Sequence, residues 1–129
     1  MNGKTIVLGL LVVVGLIVAA VYAIPALTTS PEEVPAERRG AFLVEEYFPC
    51  RSCHQVNNPL RAPMLEGLFR REVTLADGIK VIADAAYLRR ALVQPAAEVS
   101  QGYSNIMPSY EDQVSATDID LMVQYLKGL

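Results

Sequence analysis

The chain opens with one long apolar segment that no charge interrupts. Residues 6–27 contain only Gly and Pro besides hydrophobic residues. A helix of about 20 apolar residues can cross a hydrocarbon core of ~30 Å, so the pattern predicts a transmembrane anchor over residues 1–27. Lys4 on the short leading tail predicts that the N-terminus lies inside and the rest of the chain outside. The alternative is a signal peptide cleaved after Ala23, but signal peptides usually carry only about 7–15 apolar residues.

A short polar segment follows the apolar one and separates it from the remainder of the chain. Residues 28–35 read TTSPEEVP, with two prolines and no periodicity. Such composition is typical of a linker. The sequence therefore predicts three regions: the anchor over residues 1–27, the linker over 28–35, and one domain over 36–129.

Within that domain, apolar positions recur mostly at helical spacing. This spacing predicts helices over residues 36–48 and 84–94, a short helix over 66–71, and a last helix after a cap at Ser115. Asp77-Gly78 lies between two runs that favour strands, which predicts a small β-hairpin over residues 72–83. The buried stripes are predicted at Ala41, Val44 and Phe48, at Tyr87, Leu88, Ala91 and Leu92, and at Ile119, Met122, Val123 and Leu126. The expected fold class is mainly α.

Charge excludes one large class of partner. The chain has 11 Lys and Arg residues against 14 Asp and Glu, which gives a net charge of −3 with its one histidine neutral. Nucleic-acid binders normally carry a basic patch or stripe. We therefore expect no nucleic-acid partner.

The chemistry of the chain is concentrated in five residues. Cys50-Arg51-Ser52-Cys53-His54 contains both cysteines and the single histidine. C-x-x-C-H is the attachment signature of c-type haem: two thiols bond to one edge of the haem, and the adjacent imidazole becomes the proximal iron ligand. The sequence thus predicts one covalently attached haem c.

Three other interpretations of this motif fit less well. A thioredoxin-like redox pair requires a βαβ setting, which the pattern of elements does not show. A structural zinc site requires four ligands, and the chain offers two Cys and one His. A disulfide across two intervening residues would stabilise almost nothing.

The single histidine limits the sixth iron ligand, because two histidines cannot both come from this chain. Met122 lies on an apolar helix stripe, where core packing explains it. Met64 follows His54 by only 10 residues, too few to pass comfortably around a haem. Met107 lies in an irregular stretch before Pro108, outside any helical stripe. We predict Met107 as the distal ligand, and His/Met ligation favours electron transfer over oxygen chemistry.

These motifs together resemble those of a class I c-type cytochrome. The similarity covers residues 36–129 and is strongest to the cytochrome c domain fused to subunit II of bacterial haem–copper oxidases. It is carried by CRSCH, EVTLADG, ADAAYLRRALVQPAAEV, GYSNIMPSY and DIDLMVQYLK. The resemblance implies a class I cytochrome c fold, with helices and a small hairpin packed around the haem and, here, one transmembrane helix before them.

The resemblance also implies roles for particular residues. Cys50 and Cys53 would hold the haem, with His54 and Met107 as the iron ligands. Pro63 matches the proline whose carbonyl accepts a hydrogen bond from the proximal histidine, and Arg71 matches an arginine that meets a haem propionate. Arg70 replaces a glycine of the family motif just before it. The chain has no Trp, so Tyr87, Tyr103 and Tyr110 are candidates to replace a propionate-binding tryptophan, and packing would explain each of them equally well. Gly40 and Tyr125 match the contact between the first and last helices.

The expected function is the transfer of single electrons, without a small-molecule substrate or catalysis by the chain itself. The expected location is a bacterial cytoplasmic membrane, with the haem domain on the outer side. The partners would be membrane lipid and other electron-transfer subunits, in a respiratory or photosynthetic complex. Two alternatives remain open: a free anchored or soluble periplasmic shuttle to a terminal oxidase, and a haem peroxidase or gas sensor if Met107 leaves the iron open.

Overall fold

The computed structural model describes residues 3–23, 29–56 and 60–129, and its longest helix is the first. Helix α1 spans Gly3–Ala23, with side chains described for residues 7–19. The chain divides into two compact units, Met1–Glu33 and Val34–Leu129. A short 3₁₀ turn, Pro31–Glu33, lies in the predicted linker. Residues 1, 2 and 24–28 of the predicted anchor and linker lie outside the described residues.

The predicted transmembrane anchor is contradicted. Among the residues that the structure describes, no helix is both long and apolar enough to cross a membrane. The expectation of a single-pass anchor, and with it the expected location in a bacterial cytoplasmic membrane, was wrong.

The second unit is mainly helical with one small sheet, as its apolar spacing predicts. Its helices are α2 (Ala36–Phe42), α3 (Ala85–Val93) and α4 (Ala116–Leu126). Helix α2 continues into a π-helical turn over Leu43–Tyr47. Strands β1 (Glu72–Thr74) and β2 (Lys80–Ile82) pair antiparallel, with Val73 opposite Val81. Residues 66–71 form turns rather than the predicted short helix.

Local caps explain where two of these helices begin. The Asp84 carboxylate accepts from the Tyr87 N–H at 2.8 Å, and the Ser115 hydroxyl oxygen accepts from the Asp118 N–H at 3.1 Å. Each cap satisfies a backbone donor that the first helical turn leaves without a partner. The prediction of a cap at Ser115 is confirmed.

The core forms where the predicted apolar stripes meet. Val44 and Phe48, Tyr87, Leu88 and Leu92, and the four predicted positions of α4 are all buried. Ala41 and Ala91 are half-buried. Because burial of each large aliphatic side chain contributes about 1.5–3 kcal/mol, these stripes determine how the helices pack.

Helices α2 and α4 cross at a glycine, as predicted. A Cβ built on Gly40 would lie 2.2 Å from the Leu121 carbonyl oxygen and 3.3 Å from the Tyr125 Cβ. No side chain fits in that space. The crossing positions the end of α2, and hence the segment that leads to the cysteines.

Candidate functional site

The Cys50–His54 segment is a tight turn directly after the first helical segment of the unit. Phe48 is extended, and a 3₁₀ turn covers Cys50–Ser52. The backbone N–H groups of Cys53 and His54 both donate to the Cys50 carbonyl oxygen, at 3.1 and 2.9 Å. These bonds bring the two cysteines and the histidine to one wall of a cavity. Both thiols are free rather than joined in a disulfide.

The imidazole of His54 is held in one tautomer. Its Nδ1 lies 2.6 Å from the Pro63 carbonyl oxygen. A carbonyl can only accept, so Nδ1 carries the proton and Nε2 keeps its lone pair. Burial lowers the pKa of His54, against the opposing effect of the Pro63 carbonyl. A neutral imidazole with a free Nε2 is the form that binds a metal ion.

The cavity beside His54 has a volume of about 1100 Å³, counting its open mouth. Aliphatic side chains from the turn after α2, the 61–68 segment, α3 and α4 contribute to its walls, including Val44, Leu65, Leu68, Leu88, Leu92 and Leu126. The lining fits a large and mostly apolar group.

The three methionines of this unit occupy different places. Met107 is half-buried on the cavity wall. Met122 also reaches the cavity, but it is completely buried in the core. Met64 is half-buried and does not line the cavity. Met107 is therefore the methionine that joins Cys50, Cys53 and His54 at one cavity without being a core residue.

The loop that carries Met107, residues 101–110, is attached mainly near its ends. The Gln101 N–H donates to the Thr74 carbonyl at 2.8 Å, and the Tyr110 N–H donates to the Leu92 carbonyl at 2.9 Å. The Ser109 hydroxyl donates to the Val93 carbonyl at 2.7 Å. These bonds place the loop, here called the methionine loop, across the end of α3.

Three tyrosines contribute hydroxyls to the cavity wall. Tyr87 is buried and Tyr103 half-buried, and both line the cavity. Burial raises the pKa of Tyr87, against the opposing effect of the nearby Ser100 side chain. Tyr110 packs on Phe48 with ring centroids 4.6 Å apart. Burial, and then its contacts with Cys50, raise the pKa of Tyr110 to about 12, so its hydroxyl stays protonated as a donor.

Arg71 is the one predicted site residue that the structure places outside the cavity wall. Its side chain is exposed, although its charge acts on the Tyr87 hydroxyl and favours the ionised phenol. The preceding residue, Arg70, has φ +67°. This left-handed conformation costs about 1–2 kcal/mol for a residue with a side chain. The turn thus keeps the shape that a glycine would adopt without strain.

Two charged residues on the cavity wall were missed from the sequence. Arg61 lines the cavity two residues before Pro63, and its closeness in sequence to that proline could have indicated it. Glu98 also lines the cavity, is buried and pairs with Arg90. Its Oε2 atom has no hydrogen-bond partner within the described part of the chain. No local pattern distinguishes this glutamate.

The site differs from a bare metal-ion site. Across the described ranges, no three His, Cys, Asp or Glu side chains converge where they could share a metal ion. The thiols and the imidazole instead face a volume much larger than an ion. The arrangement can therefore hold an extended group by two sulfurs and one nitrogen.

No protein-family model matches the chain, and no curated protein matches its sequence. The case for its function therefore rests on the residues of the site.

Proposed function

We propose that the protein is a monohaem c-type cytochrome that carries single electrons. Cys50 and Cys53 would bind the haem covalently, with His54 and Met107 as the two iron ligands. The observation that carries the proposal is the His54 imidazole: its Nδ1 proton is held by the Pro63 carbonyl, and the same cavity wall carries both free thiols. A hydrogen bond from the ring nitrogen that does not bind the metal orients a metal-binding histidine and makes it a more basic ligand.

The two cysteines fit covalent attachment. A thiol adds across a vinyl group: sulfur bonds to one carbon, and the thiol hydrogen goes to the other. The addition needs no oxidant, but it needs both sulfurs reduced, and both thiols are free. Burial raises the pKa of the Cys50 thiol. Cys50 therefore stays protonated and resists oxidation more than an exposed cysteine would.

Met107 supports electron transfer rather than oxygen chemistry. As an iron ligand, the Met107 thioether would leave no coordination position open and would raise the reduction potential. When bound, the haem would supply one iron that can change between the ferrous and ferric states. The chain contributes the ligands and an apolar wall that keeps water away from them.

The polar groups of the cavity wall fit the carboxylates of a haem. Arg61 supplies a cation, and Tyr87 and Tyr103 supply hydroxyls. We propose Arg61, rather than Arg71, as the arginine that pairs with a propionate, because only Arg61 lies on the cavity wall. The partners of the protein would be redox proteins that give and take one electron.

Covalent haem is the first property to test. The wild-type protein, expressed with a c-type maturation system, should stain for haem on a denaturing gel and give a haemochrome spectrum with one haem per chain. Cys50→Ser or Cys53→Ser leaves one thioether, so the staining should weaken and the spectrum should shift. The double variant should lose all covalent haem.

Ser52→Ala is the matched control, since this exposed residue lies between the two cysteines and has no role in the attachment. Its haem content should equal that of the wild type. A wild-type protein without covalent haem under these conditions would refute the proposal.

A further inference from the structure

Arg51, at a variable position of C-x-x-C-H, lies at the centre of an ionic cluster behind the cysteines. Its Nε and Nη2 atoms bond to the two carboxylate oxygens of Glu45 at 3.0 Å each, and its Nη1 bonds to Glu66. The attachment motif itself does not require an arginine at this position. The contacts therefore need an explanation of their own.

The cluster joins three separate parts of the unit. Glu45 lies in the turn that continues α2, and Glu66 lies three residues after Pro63. Tyr125 of α4 donates its hydroxyl to Glu45 at 2.9 Å. These groups are partly shielded: the side chains of Arg51, Glu45 and Glu66 are 29, 30 and 35% exposed. Ion pairs at this depth are screened less than those at the surface.

The segment that Arg51 holds is the one that orients the histidine. Pro63 and Glu66 are three residues apart, and the Pro63 carbonyl accepts the His54 Nδ1 proton at 2.6 Å. Arg51 is also three residues before His54. By bonding to Glu66, Arg51 links the chain near His54 to the chain near Pro63, between residues 15 positions apart in sequence.

We propose that Arg51 is a positioning residue for His54: it fixes the 63–66 segment so that the Pro63 carbonyl keeps the imidazole in one tautomer and one orientation. The inference rests on the proposed function, in which His54 is an iron ligand. Arginine suits this task because its planar fork can reach two carboxylates at once, whereas the ammonium of lysine is a point charge without that geometry.

The proposal gives a direction for the reduction potential. A strong Nδ1–H bond makes the imidazole a more basic ligand, which favours ferric iron. Loosening that bond should therefore raise the reduction potential. Arg51→Lys is the informative variant, because it keeps the positive charge but removes the planar group that contacts Glu45 and Glu66 at once.

The test follows the Nδ1 proton of His54 by ¹⁵N-edited NMR in the chemically reduced protein as purified. The chain has a single histidine, so the ring signals need no further assignment. We expect Arg51→Lys and Glu66→Gln to speed exchange of this proton with solvent several-fold, and Arg51→Lys to raise the reduction potential. Arg89→Lys is the matched control, because Arg89 pairs with Asp120 on the surface and should change neither quantity.

The outcomes separate this inference from the function on which it rests. Unchanged proton exchange in both variants would overturn the role of Arg51, whether or not the potential moves, since a change of potential alone would reflect only the local field. Absence of covalent haem from the wild type would instead refute the proposed function. The exchange rate of the Nδ1 proton would still decide whether Arg51 positions His54.

Discussion

Two walls of the cavity are built in different ways. The attachment wall, residues 45–56 and 60–66, holds its reactive groups by a dense set of polar contacts: backbone bonds to the Cys50 carbonyl, the His54–Pro63 bond and the Arg51 cluster. The methionine loop, residues 101–110, is attached mainly near its two ends, and most of its residues are exposed. One wall has a fixed geometry, while the other can move with few bonds broken.

This difference indicates that the fold holds His54 and the two cysteines more firmly than Met107. The hydrogen bonds that place the sulfurs and the imidazole are made within the attachment wall and do not involve the methionine loop. Met107 depends on how the methionine loop lies across the end of α3. Local opening requires the loss of few buried contacts, so we expect the Met107 side to open first under any perturbation.

Tyr110 is where the two walls meet. It ends the methionine loop, packs on Phe48 and lies near enough to Cys50 for the thiol to help raise its pKa. Because Tyr110 is buried, this contact limits how far the loop can move at its C-terminal end.

The largest effect is expected from removing the ligand on the weakly held wall. Met107→Ala should open the sixth position of the proposed iron site, so the ferrous protein should bind CO with a large spectral change. Met64→Ala should not, because Met64 lies off the cavity wall. The measurement is the reduced spectrum with and without CO. Equal CO binding by the wild type and Met107→Ala would show that Met107 does not ligate iron.

A smaller effect, on the stability of the whole unit, is expected at the crossing of α2 and α4, which supports the attachment wall. Gly40→Ala places a methyl group 2.2 Å from the Leu121 carbonyl, so α2 and α4 must separate. Overpacking of this kind costs about 1–3 kcal/mol, occasionally more. Gly128→Ala is the control, since its Cβ would lie 3.4 Å from the Tyr125 carbonyl oxygen, an ordinary contact distance. Denaturant unfolding should show a loss of stability for Gly40→Ala alone.

The smallest expected effect is a loss of folding stability at low pH that comes from the attachment wall and not from the methionine loop. The hydrogen bond from Arg51 lowers the pKa of Glu45. A carboxyl with a lowered pKa stabilises the fold above its unfolded pKa, about 4.3, and this contribution is lost as the pH falls through the lower, folded value. Because Glu45 is about a third exposed, the contribution should be at most about 1 kcal/mol.

Thermal unfolding between pH 6 and pH 3 measures this effect. The wild type should lose more stability over that range than Glu45→Gln, which carries no titrating group at this position. Glu111→Gln, an exposed change on the side of the methionine loop, should follow the wild type. Identical pH profiles for the wild type and Glu45→Gln would remove the charged cluster as a source of stability for the attachment wall.

Much of the fold could be predicted from the sequence, because its signals are local. The apolar stripe of α4, the cap at Ser115 and the hairpin turn at Asp77-Gly78 each depend on neighbouring residues, and the structure contains all three. The short helix expected over residues 66–71 was wrong, because Arg70 adopts a left-handed turn there. The transmembrane anchor was wrong as well, because no helix of the described residues meets the length and hydropathy that a crossing needs.

The sequence by itself determined the candidate chemistry: the two thiols and the imidazole of Cys50–His54 are fixed by covalent order. Met107 was preferred to Met64 by its distance along the chain from His54, and to Met122 by its position outside any helical stripe. Only the tertiary structure decided which charged residues serve the site. Arg61 rather than Arg71 lies on the cavity wall, and Arg51 joins Glu45, Glu66 and, through Glu45, Tyr125. The reason is physical: long charged side chains take their partners from whichever segments packing brings near, and residues 45 and 125 are neighbours only because α2 and α4 cross at Gly40.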